Sequence, residues 1–278
     1  MFKIQNIKMK IIFIIIGIIL LILLICKINY SIKFKKQVVL LFANTEKSNQ
    51  IYSEKQLESL PKNVQRYFKY VLKEGQPYIN SVRLTHNGFF KTDLKKDFTA
   101  ITGEQYFSSQ KPQFIWKGET SFFTARDFFI DEKGGLIVTI FNVYNFVDSS
   151  GNNFDEGELQ RWLAESVWFP TNLLPSEYLK WSEIDDNSAK LFFNYKTISF
   201  FFIVRFNQIG EITEIEGNRF MTAERKEKWV CKMANYQERN GVKIPISDQA
   251  IWRLKDGDQV YAKFEVQKID YNIYEKFQ

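Results

Sequence analysis

The chain has little of what most catalytic and metal sites are made from. Among its 278 residues there is one histidine, His86, and there are two cysteines, Cys26 and Cys231. One histidine and the one cysteine outside the apolar N-terminus cannot supply the usual nitrogen and sulfur ligands of zinc, so no metal is expected. Calcium held by carboxylates has no support either, because neither "DSSGNNFDEGEL" nor "IDDNSAK" has EF-hand spacing. The sequence contains no G-x-S-x-G elbow, no H-E-x-x-H, no glycine-rich phosphate loop and no Cys/His cluster, and no cofactor is expected. Cys231 cannot reach a membrane-embedded Cys26, which excludes an intrachain disulfide.

Acid is missing from the first 36 positions, which carry seven of the 38 basic residues. The remainder therefore holds 31 basic residues against 32 acidic ones, and the formal net charge of +6 is an end effect. A body so balanced has no electrostatic footprint for nucleic acid, whose binding rests on phosphate neutralisation by clustered Lys and Arg.

Long apolar runs occur once. From Ile11 to Cys26 sixteen residues pass without a charge, about 24 Å as a helix, and a snorkelling Lys27 extends the span through Tyr30 to roughly the length that crosses a bilayer. No small-x-small pair follows the apolar core, and Ile25 is not the small residue that a lipoprotein signal places before its cysteine. The expectation is a basic tail over 1–10, an uncleaved single-pass anchor over 11–30, a connector over 31–54 and one sheet-dominated domain over 55–278. Three lysines precede the span and four follow it, so the positive-inside rule is nearly silent. A short basic tail before an apolar run also opens export signals, which places the body on the extracytoplasmic side of the cell membrane.

The first helix of the body is expected from Pro61 to about Leu72, with Val64, Tyr67, Phe68, Val71 and Leu72 on one face and Gly75 and Pro77 ending it. Ten runs rich in aromatic and β-branched residues follow: 82–91, 98–107, 113–122, 136–147, 190–195, 198–206, 211–220, 229–237, 242–254 and 259–271. Turn signals such as "DEKGG", "NQIG", "RNG" and "KDGD" separate several of them. Without helices between them these runs make an antiparallel sheet, mostly a meander. The fold class is α+β: a curved, mostly antiparallel half-barrel of about ten or more strands with two main helices packed on it.

One helical pattern interrupts the strands. In "ELQRWLAESVWFPTNLLPSEYLKW" a capping box of Asp155 and Glu158 starts a helix that runs to about Trp168, where Pro170 stops it. Leu159, Trp162, Leu163 and Val167 form the apolar stripe, and Glu158, Arg161 and Glu165 share the other side. The plain reading of Arg161 and Glu165 is a surface ion pair worth a few tenths of a kcal/mol. The alternative is a cavity wall, with Arg161 meeting a ligand carboxylate or phosphate. His86 shares a strand face with Val82, Leu84 and Phe90 and reads first as a buried imidazole. Aromatics make up 17% of the chain, and "ISFFFIVRF" is apolar on both strand faces, which requires a cover on both sides.

Four stretches, "LPKNVQRYFKYVLKEGQPYINSVRLTHNGFF", "ELQRWLAESVWFPTNLLP", "WSEIDDNSAKL" and "YQERNGVKIPISDQAIW", resemble a family of uncharacterised bacterial, often membrane-anchored proteins grouped as a domain of unknown function. The resemblance spans most of Leu60 to Trp252 and brings no catalytic residues with it. The order helix, strands, helix, strands is also similar to lipoprotein-carrier half-barrels of the LolA and LolB type, whose layout implies a concave, apolar, lipid-binding face.

These observations give a membrane-anchored module that binds a hydrophobic or amphiphilic envelope ligand, a lipid or acyl chain. Trp162, Trp168, Arg161, Glu165, His86 and Trp116 are the candidate ligand contacts, and no catalytic residue is assigned. Two alternatives stand beside it: a hydrolytic enzyme using His86 or Glu158, Arg161 and Glu165, and a protein–protein interaction module pairing through a sheet edge.

Overall fold

The computed structural model describes residues 2–278, with side chains described from Lys8 onward. Helix α1 spans Phe2–Ala43, and from Lys8 it is long and apolar enough to cross a membrane. Its apolar stretch lies bare, whereas Phe34, Val38, Leu41 and Phe42 are buried. These four recur at i, i+4, i+7 and i+8, one face of a helix, so residues 31–43 continue the apolar helix onto the body. The face packs on Tyr106 and Ile115, with Phe128, Ile130, Tyr274 and Phe277 around it.

Helix α2, Lys62–Val71, forms where its spacing requires and buries Val64, Tyr67, Phe68 and Val71. Thirteen strands follow. Strands β1 (Ser81–Phe90), β2 (Thr99–Ser108), β3 (Gln113–Glu119), β4 (Phe123–Ile130), β5 (Lys133–Ile140) and β6 (Tyr144–Ser150) precede helix α3, Asn152–Ala164. Strands β7 (Leu179–Asp185), β8 (Ser188–Tyr195), β9 (Ile198–Phe206), β10 (Ile212–Phe220), β11 (Lys226–Arg239), β12 (Val242–Leu254) and β13 (Gly257–Tyr271) come after it. They make one antiparallel sheet in the order β6-β5-β4-β3-β2-β1-β13-β12-β11-β10-β9-β8-β7. Two meanders are thus sewn together where the first strand pairs with the last, Leu84 facing Ile269 and His86 facing Val266. The α+β curved sheet with two helices on its body is the expected class.

Three boundaries differ from the sequence reading. The single run 136–147 is two strands, because Phe141 and Asn142 take φ of 52° and 58° and turn the chain back. Strands β4 and β7 were hidden by their mixed polarity, since Arg126 and Asp127 interrupt the first and Lys180, Ser182 and Glu183 the second. Helix α3 starts earlier and has no capping box: Gly151 holds the N-cap position without a side-chain hydrogen bond. Asp155 reaches sideways instead and accepts from the backbone N–H of Gly134 on β5 at 2.7 Å. Only glycine fits there, because a Cβ on Gly134 would lie 2.3 Å from the carbonyl oxygen of Phe154.

Helix α3 is enclosed by the curl of the sheet and meets β3, β4, β5, β6 and β10. Every residue from Gly157 to Ala164 is buried, so the amphipathic surface helix of the sequence reading gives way to one covered on all sides. On the opposite face of the sheet the cover is incomplete. Phe201 and Phe192 are 43% and 36% exposed, so "ISFFFIVRF" is packed on its inner face and open on its outer one. That corrects the requirement for a cover on both sides: Lys190 lies 4.5 Å over the Phe201 ring, and its stem supplies part of the shielding.

Candidate functional site

The concave face beneath α3 concentrates ionisable side chains. Asp127 on β4 follows the inward alternation of Ala125 and Phe129, Arg219 on β10 that of Ile215 and Gly217, and Asp248 on β12 that of Ile244 and Ile246. Helix α3 adds Glu158 and Arg161, with Glu165 in the short 3-10 turn that extends it. Arg161 joins the two layers: its Nη1 donates to Asp127 and its Nε donates to Glu165 at 2.8 Å. The guanidinium also lies 4.9 Å over Trp116 and 5.3 Å over Phe114. Glu165 accepts a second hydrogen bond from Gln105 at 2.6 Å. Arg219 donates to Glu158 at 3.0 Å and to the carbonyl of Gly157 at 3.1 Å, with Trp229 under its plane.

Arg161 and Glu165 are therefore an ion pair as their spacing requires, but not a surface one. Their side chains keep 10% and 14% of their accessible surface. The pair sits in a cluster of four carboxyls and two guanidiniums, and burial is the largest influence on the protonation of all four acids. Burial pushes Glu158 up to about 8, aided by the nearby charge of Asp127 and opposed by Arg219. Burial likewise raises Asp248 to about 8, with Glu165 adding to it. At neutral pH both are predominantly neutral acids; burial raises Asp127 and Glu165 as well, opposed in each by the charge of Arg161. Burial opposes the charge of Arg161, yet Glu165 and Asp127 hold its ionisation well above the usual range.

His86 lies beside this cluster. The indole N–H of Trp116 donates to its Nε2 at 2.7 Å, and the Phe264 ring is 4.2 Å away centroid to centroid. On its other side the imidazole covers Gly103, where a Cβ would lie 2.0 Å from Nε2. Burial, and then the charge of Arg161, lowers His86 to about 3, so it is a neutral imidazole with its proton on Nδ1. As the sequence suggested, it is a core histidine with a hydrogen bond.

Trp162 and Trp168 fill the space between helix and sheet. Both are 2% exposed, and their indole N–H groups donate to the carbonyls of Ser108 and Pro245. The six candidates thus divide. Arg161, Glu165, His86 and Trp116 share one neighbourhood, while Trp162 and Trp168 form the wall behind it. Asp127, Arg219, Asp248 and Gln105 were missed. The signal available for the first three was a charge at an inward position of an otherwise apolar strand face.

The cluster is not sealed. Asp127 keeps 19% of its side-chain surface and Asp248 is partly exposed. Half-buried Phe264 adjoins Trp116 and His86, and half-buried Tyr261 accepts from the Trp229 indole at 2.8 Å and meets Phe90 edge-on. Asp127 Oδ1, Glu158 Oε2, Asp248 Oδ1 and His86 Nδ1 have no hydrogen-bond partner among the described residues. Polar atoms so placed cost of order 1–3 kcal/mol each unless something meets them. Among the described residues no group of three or more His, Cys, Asp or Glu side chains is arranged to hold a metal ion.

No curated protein matches the chain. Its fold is similar to that of a LolA superfamily protein from Nitrosomonas europaea, at 11% identity and a TM-score of 0.44, over 75% of this chain and 91% of that one. It is also similar to a domain from Vibrio parahaemolyticus described as an outer membrane lipoprotein-sorting protein, at 7% identity and a TM-score of 0.39, over 69% and 86% of the two chains. The model described as "Family of unknown function (DUF6920)" matches residues 58–271, which takes in every element from α2 to β13, and the chain belongs to that family.

Proposed function

We propose that the protein is a single-pass, membrane-anchored half-barrel that binds a hydrophobic or amphiphilic envelope ligand, a lipid or acyl chain, on its concave face, with the body on the extracytoplasmic side. The observation that carries this reading is the meeting of two surfaces. Three carboxyl oxygens without partners lie in a cluster of four acids and two arginines, and of the half-buried rings Phe264 packs on the Trp116–His86 pair that borders it, while Phe90 and Tyr261 pack on each other. Apolar rings suit a chain, and a few convergent polar groups suit a head.

The charge balance also says which head. Arg161 already faces Asp127 and Glu165, and Arg219 faces Glu158, so each guanidinium has a carboxyl partner of its own before any ligand carboxylate or phosphate arrives. The atoms left over are oxygens of Asp127, Glu158 and Asp248 and the N–H of His86, so they include both acceptors and donors. They suit a head of hydroxyls, which donate and accept, over a purely anionic one, which only accepts. In this reading Glu165, Trp116 and His86 border the ligand, Arg161 holds the acids in place, and Trp162 and Trp168 keep α3 on the sheet.

The test is binding of pyrene-labelled lipids to the full chain in detergent. Saturable binding of a glycosyl-diacylglycerol, at least tenfold tighter than that of phosphatidic acid with the same chains, is expected. Loss of preference between the two heads in Asp248→Asn would tie the head to the cluster. Equal, unsaturable partition of both lipids would end the proposal.

A further inference from the structure

The apolar part of α1 and the tips of two hairpins lie at one level. Leu23, Leu24 and Lys27 of α1 share a cleft with Phe122 of the β3–β4 turn and with Phe141 and Asn142 of the β5–β6 turn. Leu23 is one helical turn, about 6 Å, further into the apolar span than Lys27. The turns therefore reach past the lysine toward the hydrocarbon.

What they carry there is unusual for a protein surface. Phe122, Tyr144 and Phe146 are 68–69% exposed, and Phe141 and Val143 are 55% and 53% exposed. No charged residue occurs from Gly134 to Val147 or from Thr120 to Ala125, in a chain that is 25% charged. Phe141 takes a φ of 52°, a left-handed conformation in which a bulky side chain is a rare outlier and where glycine or asparagine is the usual choice. The backbone is strained to present a phenyl ring at the tip. The two turns are joined by a hydrogen bond from the N–H of Phe141 to the carbonyl of Phe122, so they form one surface.

We propose that these two turns are a second membrane contact: Phe122, Phe141, Val143, Tyr144 and Phe146 enter the interfacial layer of the leaflet from which α1 emerges. Glu119 at the base of the β3–β4 turn and Lys27 are the charges on the same cleft, and the exposed aromatic side chains beyond them are what that layer accepts, at the depth the anchor fixes. The contact, which rests on reading α1 as the membrane span, holds edge strand β6 against lipid and turns that side of the half-barrel toward the leaflet. An amphiphile then has a route to the concave face along β6 that does not cross bulk water.

The full chain, reconstituted in liposomes, tests this with single thiol probes in a Cys26→Ser background, where the remaining Cys231 is buried. An environment-sensitive nitrobenzoxadiazole label goes at Phe141→Cys, Tyr144→Cys, Ile209→Cys in the β9–β10 turn, and Ile16→Cys in mid-span. The expected result is several-fold quenching of the labels at 141 and 144 by lipids spin-labelled near the head group. The label at 16 is then quenched by lipids labelled deep in the chain, and the label at 209 only by aqueous iodide. Labels at 141 and 144 that behave like 209, while 16 stays deep, overturn the contact and leave the anchor standing. Shielding from iodide without quenching by lipid, as a second copy of the chain would give, overturns it too. A label at 16 open to iodide removes the anchor and the contact together.

Discussion

The indole N–H of Trp116 donates to Nε2 of His86 across 2.7 Å, and Gly103 lies flat beneath the same imidazole. Two strands are thereby committed to one histidine tautomer. The nitrogen a general base would use is occupied, and the ring is neutral because burial and Arg161 disfavour its cation.

The tautomer is directly measurable. Nitrogen-15 chemical shifts of His86 are expected to show a proton on Nδ1 and none on Nε2, unchanged from pH 8 down to about 4. A midpoint near the ordinary 6.5 would mean that the ring is solvated and the packing described for it is wrong.

Gly103 makes the same arrangement testable by stability. Gly103→Ala drives a methyl into the imidazole and is expected to cost about 1–3 kcal/mol in denaturant unfolding, as overpacking of a full core does. Combined with His86→Ala, the glycine substitution should cost much less than it does alone. Strict additivity would separate the two residues.

Arg161 holds two carboxylates that each keep less than a fifth of their side-chain surface. Arg161→Met leaves Asp127 and Glu165 without their cation and is expected to destabilise by about 3–5 kcal/mol. Arg161→Lys keeps the charge but cannot serve both acids through one planar fork, and should fall between. Loss of less than about 1 kcal/mol in the Met variant, read from urea midpoints, would place the pair at the surface after all.

The raised acids give stability a slope in pH. Glu158 and Asp248 move from ordinary values of 4.5 and 3.8 to about 8 on folding, so the folded chain holds protons that the unfolded chain releases. Their contribution is complete below about pH 4 and is lost as pH rises through about 8, at up to about 1.4 kcal/mol per pH unit for each group. His86 runs the other way: its contribution is complete above 6.5 and is lost as pH falls toward 3. From pH 6.5 to 8 only the acids contribute. Glu158→Gln and Asp248→Asn should each flatten the fall in Tm over that window, and an unchanged slope in both would refute the assignment.

How much of this was legible depended on how local the signal was. The face of α2 could be read because Val64, Tyr67, Phe68 and Val71 meet one sheet and the opposite side meets solvent. Most strands could be read from their runs and turns. Helix α3 could not be read as buried on all sides, because its polar residues look like a solvent face until their partners are known. Those partners lie far away in the chain: Asp127 is 34 residues from Arg161, Gln105 is 60 from Glu165, and Arg219 is 61 from Glu158. Helical spacing carries no trace of such pairings. Strand alternation carries a faint one, since Asp127, Arg219 and Asp248 each stand where an apolar residue was due.

The measurement that tests the central claim most directly is native mass spectrometry of the full chain, released in mild detergent from its own membrane, with extraction and identification of whatever it carries. The expected result is one amphiphile per chain with a hydroxyl-bearing head, retained by the wild type and depleted in Asp248→Asn. A clean mass for the wild type, with no bound molecule under conditions that preserve its fold, would contradict the concave face as a ligand site and return its acid cluster to the architecture of the core.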